Sequence, residues 1–210
     1  MKQVIRRVID PKGNVVLLDL PVPHLGPDQV FVQNKFSLIS SGTELSTLSK
    51  TPAELVKQTI SDPWMRHVVA QTVFVSGPTK TARRVWQEML MPREIGYSGA
   101  GTVLAVGRNV EGFRVGGKAA YAATGHAEMV APTVNHIVPV PDRLDLKHAA
   151  FVTVGGIAIQ SLRRASVQFG ETVAVYGLGL VGQICAMIAK AAGCVVIGID
   201  IDPRRTEIAR

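Results

Sequence analysis

The chain has 210 residues, enough for one large domain or two small ones, and 47% of them are hydrophobic, as in ordinary folded proteins. It contains no apolar run of about 18 residues and no apolar signal-peptide core near its start, so we expect a cytoplasmic protein outside the membrane. The net charge of +7 is thinly spread and lacks interleaved aromatic residues, which argues against a nucleic-acid partner. Cys185 and Cys194 lie in an apolar stretch and are predicted to be buried thiols.

The first 40 residues alternate between runs rich in β-branched residues and turns that contain proline or glycine, which predicts a β-rich opening. A helical insertion at about 46–92 follows. Thr51-Pro-Ala-Glu54 has a hydroxyl cap, a proline at the first helical position and a glutamate three residues after the cap. Asp62-Pro63 repeats the start signal, and Thr79 to Leu90 is predicted as a third helix.

Strand patterns return after the insertion, near residues 99–107, 118–123, 127–131 and 136–140. Many short strands separated by glycine and proline turns are typical of a small, partly open barrel. From Leu146 to Ala165 the pattern is helical, which predicts a bridge between two domains.

A glycine-rich motif lies in the last forty residues. An apolar strand, 171–176, leads into Gly177-Leu-Gly-Leu-Val-Gly182, a helical run and a second apolar strand that ends in Asp200. The motif GxGxxG alone is weak evidence, but this order of strand, helix, strand and acidic residue is typical of a dinucleotide-binding unit. The predicted cofactor-binding residues are Gly177, Leu178, Gly179, Leu180, Val181, Gly182 and Asp200.

Each of these positions has a physical task in such a unit. Gly177 permits the tight turn, Gly179 lets a pyrophosphate approach the backbone, and Gly182 lets helix and strand pack closely. Asp200 is expected to accept hydrogen bonds from ribose hydroxyls and to repel a 2′-phosphate, so NAD is the predicted cofactor. Arg204 and Arg205 follow closely and keep NADP as an alternative. A purely structural glycine turn is the other interpretation.

Beside these patterns, the chain resembles the medium-chain dehydrogenase/reductase superfamily, in which a GroES-like barrel precedes a Rossmann domain. The helical insertion makes it most similar to the bi-domain oxidoreductase branch, whose members often carry a second oxidoreductase region. The resemblance implies an α/β fold, with a GroES-like β-barrel over 1–150 and the first part of a Rossmann domain over 151–210. It is carried by Ser41-Gly-Thr-Glu44, Gly96-Tyr-Ser-Gly-Ala-Gly101, Val106-Gly107, Phe113-Arg-Val-Gly116, Pro139-Val-Pro-Asp142 and the Gly177 motif.

The chain departs from the zinc-dependent members of that family at their ligand positions. Ser41 stands where they have a cysteine ligand, and Tyr97-Ser98 replaces their His-Glu pair. Residues 149–158 contain no cysteine, and the four-cysteine structural lobe has no counterpart. A serine hydroxyl is a poor zinc ligand beside a thiolate, and catalytic zinc needs three protein ligands, so we expect no metal.

Without zinc, hydrogen-bond donors or a side-chain acid must polarise a substrate carbonyl. The resemblance assigns Thr43 to the proton-relay hydroxyl and Glu44 to the acid beside the metal ligands. The Tyr97 hydroxyl stands in a ligand position and is a candidate donor. The predicted catalytic set is therefore Ser41, Thr43, Glu44 and Tyr97. The alternative is structural, with 41–44 as a turn and Tyr97 packed in the core.

These observations predict a zinc-independent, NAD-dependent oxidoreductase for a small alcohol or carbonyl substrate, with a sugar derivative as one candidate. Two alternatives are a non-catalytic NAD-binding module or scaffold, and a zinc enzyme with Glu44, His126 and Glu128 as unusual ligands. His126 and Glu128 lie two apart on a strand-like segment, are expected to face the same side, and form a second-choice metal or proton-transfer pair. Only two of about six Rossmann strands are present, and Asp202-Pro203 begins a further helix. We therefore expect a further C-terminal region of the same polypeptide, an inactive isolated fragment, and a homodimer as in many relatives.

Overall fold

The computed structural model describes residues 3–9, 14–48, 57, 60–83 and 92–210. The chain packs as two compact units: the first combines 1–23, 39–96 and 125–129, and the second combines 24–38, 97–124 and 130–210. The architecture is α/β, as the sequence predicts. The domain boundary near residue 150 stays a prediction.

Ten strands and six helices are labelled here in chain order. The strands are β1 (Gln3–Ile9), β2 (Val15–Pro21), β3 (Val30–Ser37), β4 (Arg93–Glu94), β5 (Ser98–Val106), β6 (Lys118–Ala122), β7 (Met129–Val130), β8 (Ile137–Pro139), β9 (Thr172–Tyr176) and β10 (Val195–Ile199). The helices are α1 (Ser41–Leu48), α2 (Pro63–Ser76), α3 (Leu146–Ala149), α4 (Val152–Arg164), α5 (Leu180–Ala191) and α6 (Pro203–Ile208).

The first unit contains an antiparallel sheet in the order β2-β1-β4 and the helices α1 and α2. Asp62 caps α2 by accepting the Trp64 N–H at 2.8 Å, and Pro63 occupies the first helical position, which confirms that predicted start. Residues 78–83 are helical, as predicted for the start of the third insertion helix. The remainder of that helix and the helix predicted from Thr51 lie outside the described residues.

The second unit contains a five-stranded sheet in the order β7-β3-β5-β6-β8, which confirms the strands predicted for this region. The central strand β5 needs its glycines, since a Cβ at Gly101 would overlap the Gln33 carbonyl oxygen on β3. Small side chains let α3 and the start of α4 pack closely on the sheet. The buried residues of this cluster are Ala100, Ala120, Val140, Ala149 and Ala150.

A βαβ unit follows in the same compact unit, with β9 and β10 parallel and α5 between them in sequence. The helix α4 packs against α5, and the Cys185 thiol on α5 donates to the Ala158 carbonyl oxygen on α4. Cys185 and Cys194 are both buried free thiols, as predicted. Among the described residues β10 pairs only with β9, which leaves β10 at the edge of this sheet.

Candidate functional site

The glycine-rich turn after β9 has the backbone shape that its sequence predicts. Gly177 has a φ of 87°, a left-handed conformation that L-residues rarely adopt, and its N–H donates to the Ile199 carbonyl oxygen at 2.7 Å. Gly179 is the N-cap of α5 and brings no side chain to cap the helix. The first N–H groups of α5 therefore have no side-chain acceptor at the N-cap position.

The three glycines of the motif differ in what surrounds them. A Cβ at Gly182 would overlap the Gly177 carbonyl oxygen, so the helix passes the turn at the closest possible approach. A Cβ at Gly179 would meet nothing within 4 Å. The second glycine thus faces open space, whereas the third is required by packing.

The two apolar positions next to the motif's middle glycine have different surroundings. Leu178 is only 1% exposed and packs near Gly198 of β10, so its side chain belongs to the core. The backbone of Leu178 is also occupied, since its carbonyl oxygen accepts the Gln183 side-chain amide at 3.0 Å. Val181, in the first turn of α5, is 37% exposed.

Asp200 ends β10 and connects the glycine turn with the next loop. Its Oδ2 accepts the Leu178 N–H at 2.6 Å, and its Oδ1 accepts the Asp202 N–H at 2.8 Å. The side chain is 3% exposed. The N–H groups of Asp202 and Leu178, with a smaller contribution from Arg205, lower the pKa of the Asp200 carboxyl below its usual range. The sequence predicts a carboxylate that faces ribose, whereas in the structure each of its two oxygens already accepts one backbone N–H.

Two arginines lie beside this loop. Arg204 pairs with Asp202 at 3.0 Å, and Arg205 Nη1 lies 3.5 Å from Asp200 Oδ2. The hydrogen bond from the Arg204 side chain is the largest cause that lowers the pKa of Asp202. The end of β10 therefore combines two carboxylates with two largely exposed guanidinium groups.

The predicted catalytic turn lies in the first unit, at the start of α1. Ser41 and Thr43 are exposed, and the Thr43 hydroxyl lies 3.3 Å from the Ser40 hydroxyl. Glu44 is buried instead, and its Oε1 accepts the Ser40 N–H at 3.0 Å. The arrangement is a capping interaction, because the glutamate side chain satisfies a donor at the N-terminus of its own helix.

Glu44 has a second partner, which the sequence grouped with it only as a candidate zinc ligand. His126 Nε2 lies 3.3 Å from Glu44 Oε1, and His126 is only 5% exposed. The sequence suggested a pair of His126 with Glu128, two residues away, but Glu128 is exposed. The two partners are 82 positions apart, so no local spacing indicated that they would meet.

A glycine makes room for this imidazole. Gly96 has a φ of 92°, and a Cβ there would lie 2.7 Å from three atoms of the His126 ring. The His126 N–H also donates to the Ile95 carbonyl oxygen at 2.7 Å. The His126 ring therefore packs against the Gly96 backbone, and the His126 backbone is bonded to Ile95, all within the first unit.

Tyr97 and Ser98 belong to the second unit, where they join the sheet to α4. The Tyr97 carbonyl oxygen accepts the Ala123 N–H at 2.9 Å and the Thr153 hydroxyl at 3.3 Å. The Ser98 hydroxyl is buried, donates to the Ala150 carbonyl oxygen at 2.7 Å and accepts the Thr153 N–H at 3.3 Å. Ser98, at a position where zinc-dependent relatives have glutamate, thus helps to hold the start of α4.

Two general findings concern the described part of the chain. It contains no group of three or more histidine, cysteine, aspartate or glutamate side chains that could hold a metal ion. None of its helices is long and apolar enough to cross a membrane.

The chain is similar in sequence to known oxidoreductases. Over 127 residues, 57% of this chain and 39% of the relative, it is 35% identical to a quinone oxidoreductase of Pseudomonas aeruginosa. Over 151 residues it is 26% identical to an alcohol dehydrogenase of Geobacillus stearothermophilus, and the match covers 57% of this chain and 45% of that relative. These matches thus span less than half of each relative. No family model matches the chain.

Solved structures share the fold over nearly the whole chain. The quinone oxidoreductase of Coxiella burnetii matches with a TM-score of 0.72 at 21% identity, and covers 99% of this chain and 59% of its own. An alcohol dehydrogenase superfamily protein of Novosphingobium aromaticivorans matches with a TM-score of 0.68 at 26% identity, over 99% of this chain and 56% of its own. The relatives and the shared fold consistently indicate the family that the sequence motifs predict, the medium-chain dehydrogenases/reductases.

Proposed function

We propose that this chain acts in an NAD-dependent oxidoreductase that interconverts a small alcohol and its carbonyl compound without catalytic zinc. The observation that carries the proposal is the turn at Gly177–Gly182, where a left-handed glycine, an open glycine and an uncapped helix start follow one another. Such a turn directs backbone N–H groups and the positive end of a helix dipole toward an anion. A pyrophosphate fits the open space beside Gly179.

The residues after β10 bear on which dinucleotide binds. The buried Asp200 carboxylate uses one lone pair of each oxygen on backbone N–H groups, and each oxygen has a second lone pair for a ribose hydroxyl. Its negative charge disfavours a 2′-phosphate, which supports NAD. Arg204 and Arg205 are partly neutralised by Asp202 and Asp200, so they contribute less to binding a 2′-phosphate than two unpaired arginines would.

The exposed Thr43 hydroxyl is the proposed proton donor to the substrate oxygen. When bound, a nicotinamide cofactor would supply the hydride for the carbonyl carbon in the reducing direction, and the carbonyl oxygen would then need one proton. The exposed Thr43 would pass that proton on and regain its own from water. Ser41 stands at the family's cysteine position, and its hydroxyl is a poor zinc ligand, which supports chemistry through hydrogen bonds. Relatives named for quinones, alcohols and D-xylulose support a carbonyl or hydroxyl compound, including sugars, as the substrate class.

Titration of NADH and NADPH into the wild-type chain and the Gly179→Ala variant tests the cofactor site. The methyl group meets no protein atom within 4 Å, so thermal unfolding is expected to change little. It would stand where the pyrophosphate approaches, so we expect NADH binding to weaken about tenfold or more, a change of roughly 1.4 kcal/mol. Equal binding of NADH by both proteins, or tighter binding of NADPH by the wild type, would contradict the assignment.

A non-catalytic module that binds NAD predicts a different result. A longer form that completes the Rossmann domain would then bind NADH without oxidising it in the presence of aldehydes, quinones or ketoses. Oxidation of NADH, followed at its absorbance band, would exclude that alternative.

A further inference from the structure

His126 is a buried polar side chain that the proposed reaction does not yet use. It lies on the 125–129 segment of the first unit, and its Nε2 is 3.3 Å from Glu44 Oε1. Buried polar groups are costly unless they are paired, and this contact gives the His126 Nε2 and the Glu44 Oε1 a partner in each other.

The same carboxylate oxygen also fixes the turn that carries Thr43. Glu44 Oε1 accepts the Ser40 N–H at 3.0 Å, and the Ser40 hydroxyl lies 3.3 Å from the Thr43 hydroxyl. Contacts therefore run from the buried imidazole through Glu44 and Ser40 to an exposed hydroxyl. A glutamate side chain has three rotatable bonds, and a second donor on its carboxylate limits the positions that it can adopt.

The surroundings of the imidazole are built to hold it in one place. The ring occupies the space that a side chain at position 96 would need, and the His126 backbone N–H is bonded to Ile95. An imidazole that packed there only to fill space would not need a carboxylate at 3.3 Å. The pairing indicates that the hydrogen-bond donor at Nε2, and not only the volume of the ring, is needed at this position.

We propose that His126 is a positioning residue of the oxidoreductase site: through Glu44 it holds the 40–43 turn and so fixes the Thr43 hydroxyl. The catalytic value of this contact rests on the proposed function, whereas the contact itself is testable without substrate. The variant His126→Gln keeps an N–H donor near Nε2, and His126→Phe fills similar space without a donor.

Amide hydrogen exchange of the cofactor-free chain is the primary measurement, with Ser40 as the reporter. We expect protection of the Ser40 amide to fall about tenfold in His126→Phe and to stay within about threefold of wild type in His126→Gln. His136→Phe, at an exposed histidine of the second unit, is the matched control and is expected to leave Ser40 unchanged. Unchanged protection at Ser40 in His126→Phe would overturn the proposal.

A double-mutant cycle separates positioning through Glu44 from general loss of packing. If His126 acts through Glu44, His126→Phe is expected to cause no further loss at Ser40 when Glu44→Ala is already present. Additive losses would show that the imidazole acts through packing alone and would overturn the proposal.

Turnover with NADH and 4-nitrobenzaldehyde, measured on a longer form that completes the Rossmann domain, then tests the catalytic part. In that form His126→Phe is expected to lower kcat about tenfold with the KM for NADH unchanged, and His126→Gln to restore most of it. A measurable kcat that is equal in His126→Phe and wild type would overturn the positioning role in catalysis. A longer wild-type form that binds no NADH, with the exchange result as expected, would instead overturn the proposed function and leave the His126 contact standing.

Discussion

The two turns that carry the candidate chemistry are built on different principles. The turn at Gly177–Gly182 is shaped by its backbone. It depends on a left-handed glycine and on a helix that approaches closely enough to exclude a Cβ at Gly182. The turn at 40–44 is held by side chains. The Glu44 carboxylate accepts the Ser40 N–H and contacts the imidazole of His126, which lies in a distant segment of the chain.

The difference explains what each turn tolerates. A backbone-built turn is sensitive to a side chain at a glycine that packs against main chain, because a methyl group added at Gly182 must displace main-chain atoms. A turn built from side chains is sensitive to the loss of a hydrogen-bonding group, because a buried partner is then left unpaired. Substitutions that add a methyl group should therefore affect the glycine turn most, and substitutions that remove a hydrogen-bond donor should affect the turn at 40–44 most.

The largest effect is expected for Gly182→Ala. The added methyl group overlaps the Gly177 carbonyl oxygen, so the turn or α5 must shift. We expect a loss of about 3 kcal/mol in the free energy of unfolding, the upper part of the range for overpacked sites. Denaturant unfolding followed by circular dichroism measures it.

Gly179→Ala is the matched control for this substitution, because its methyl group has free space. Its cost should stay below about 1 kcal/mol, the difference between glycine and alanine at a helix N-cap. If the two variants unfold at the same denaturant concentration, the close contact at Gly182 is not a determinant of the fold.

A smaller effect is expected for Gly96→Ala, the one substitution that adds atoms next to the side-chain-built turn. Left-handed backbone costs an alanine roughly 1–2 kcal/mol, and the methyl group must also displace the His126 ring, 2.7 Å away. We expect a total loss of about 2–3 kcal/mol in unfolding free energy, together with weaker protection of the Ser40 amide.

Gly193→Ala isolates the backbone part of that cost. Gly193 follows α5 with a φ of 81°, and the Cys194 N–H donates to the Ala189 carbonyl oxygen, as at a left-handed helix end, but a Cβ at Gly193 meets nothing within 4 Å. The unfolding free energy of this variant should fall only by the cost of left-handed backbone for alanine, and protection of the Ser40 amide should stay as in wild type. An equal loss of unfolding free energy in Gly96→Ala and in this control would mean that the His126 ring shifts without cost and does not hold the turn at 40–44.

The contrast between the turns also explains how far the sequence could predict them. The shape of the turn at residues 177–182 is encoded locally, in glycine spacing between a strand and a helix, and the structure has the predicted turn. The barrel strands, the α2 start at Asp62-Pro63 and the buried cysteines were predictable for the same reason, since each depends on neighbouring residues.

Contacts between distant segments were not predictable in this way. Alternation along a strand predicts that His126 and Glu128 share one face, and the sequence set Glu44 beside them only as a candidate zinc ligand, whereas the structure shows a direct contact between His126 and Glu44. Ser98 was noted only as a missing acid, yet its hydroxyl bonds to residues 52 and 55 positions away. Partners at such separations are set by the tertiary fold, which the periodicity of hydrophobic residues along the sequence does not predict.

Asp200 stands between these two cases, and Asp200→Asn gives the smallest expected effect, one that depends on pH. Its position was predictable, but its bonds to the Leu178 and Asp202 N–H groups were not. These bonds lower the pKa of its carboxyl in the folded chain, whereas an unfolded aspartate has a pKa of about 3.9. Its contribution to stability is therefore complete above about pH 4 and is lost as the pH falls toward the folded pKa.

Thermal unfolding of wild type and Asp200→Asn across pH 7 to pH 3 measures this dependence. The wild type should be the more stable protein at pH 7, and the difference should narrow below about pH 4, because Asp200 of the unfolded chain gains a proton there while the folded carboxylate stays ionised. Asp202→Asn is the matched comparison, because Asp202 relies chiefly on the exposed Arg204 side chain. Salt at about 0.5 M should remove most of the Asp202→Asn effect by screening, but should leave that of Asp200→Asn, whose partners are backbone amides. If salt removes both effects, Asp200 is held by Arg205 and not by the glycine turn.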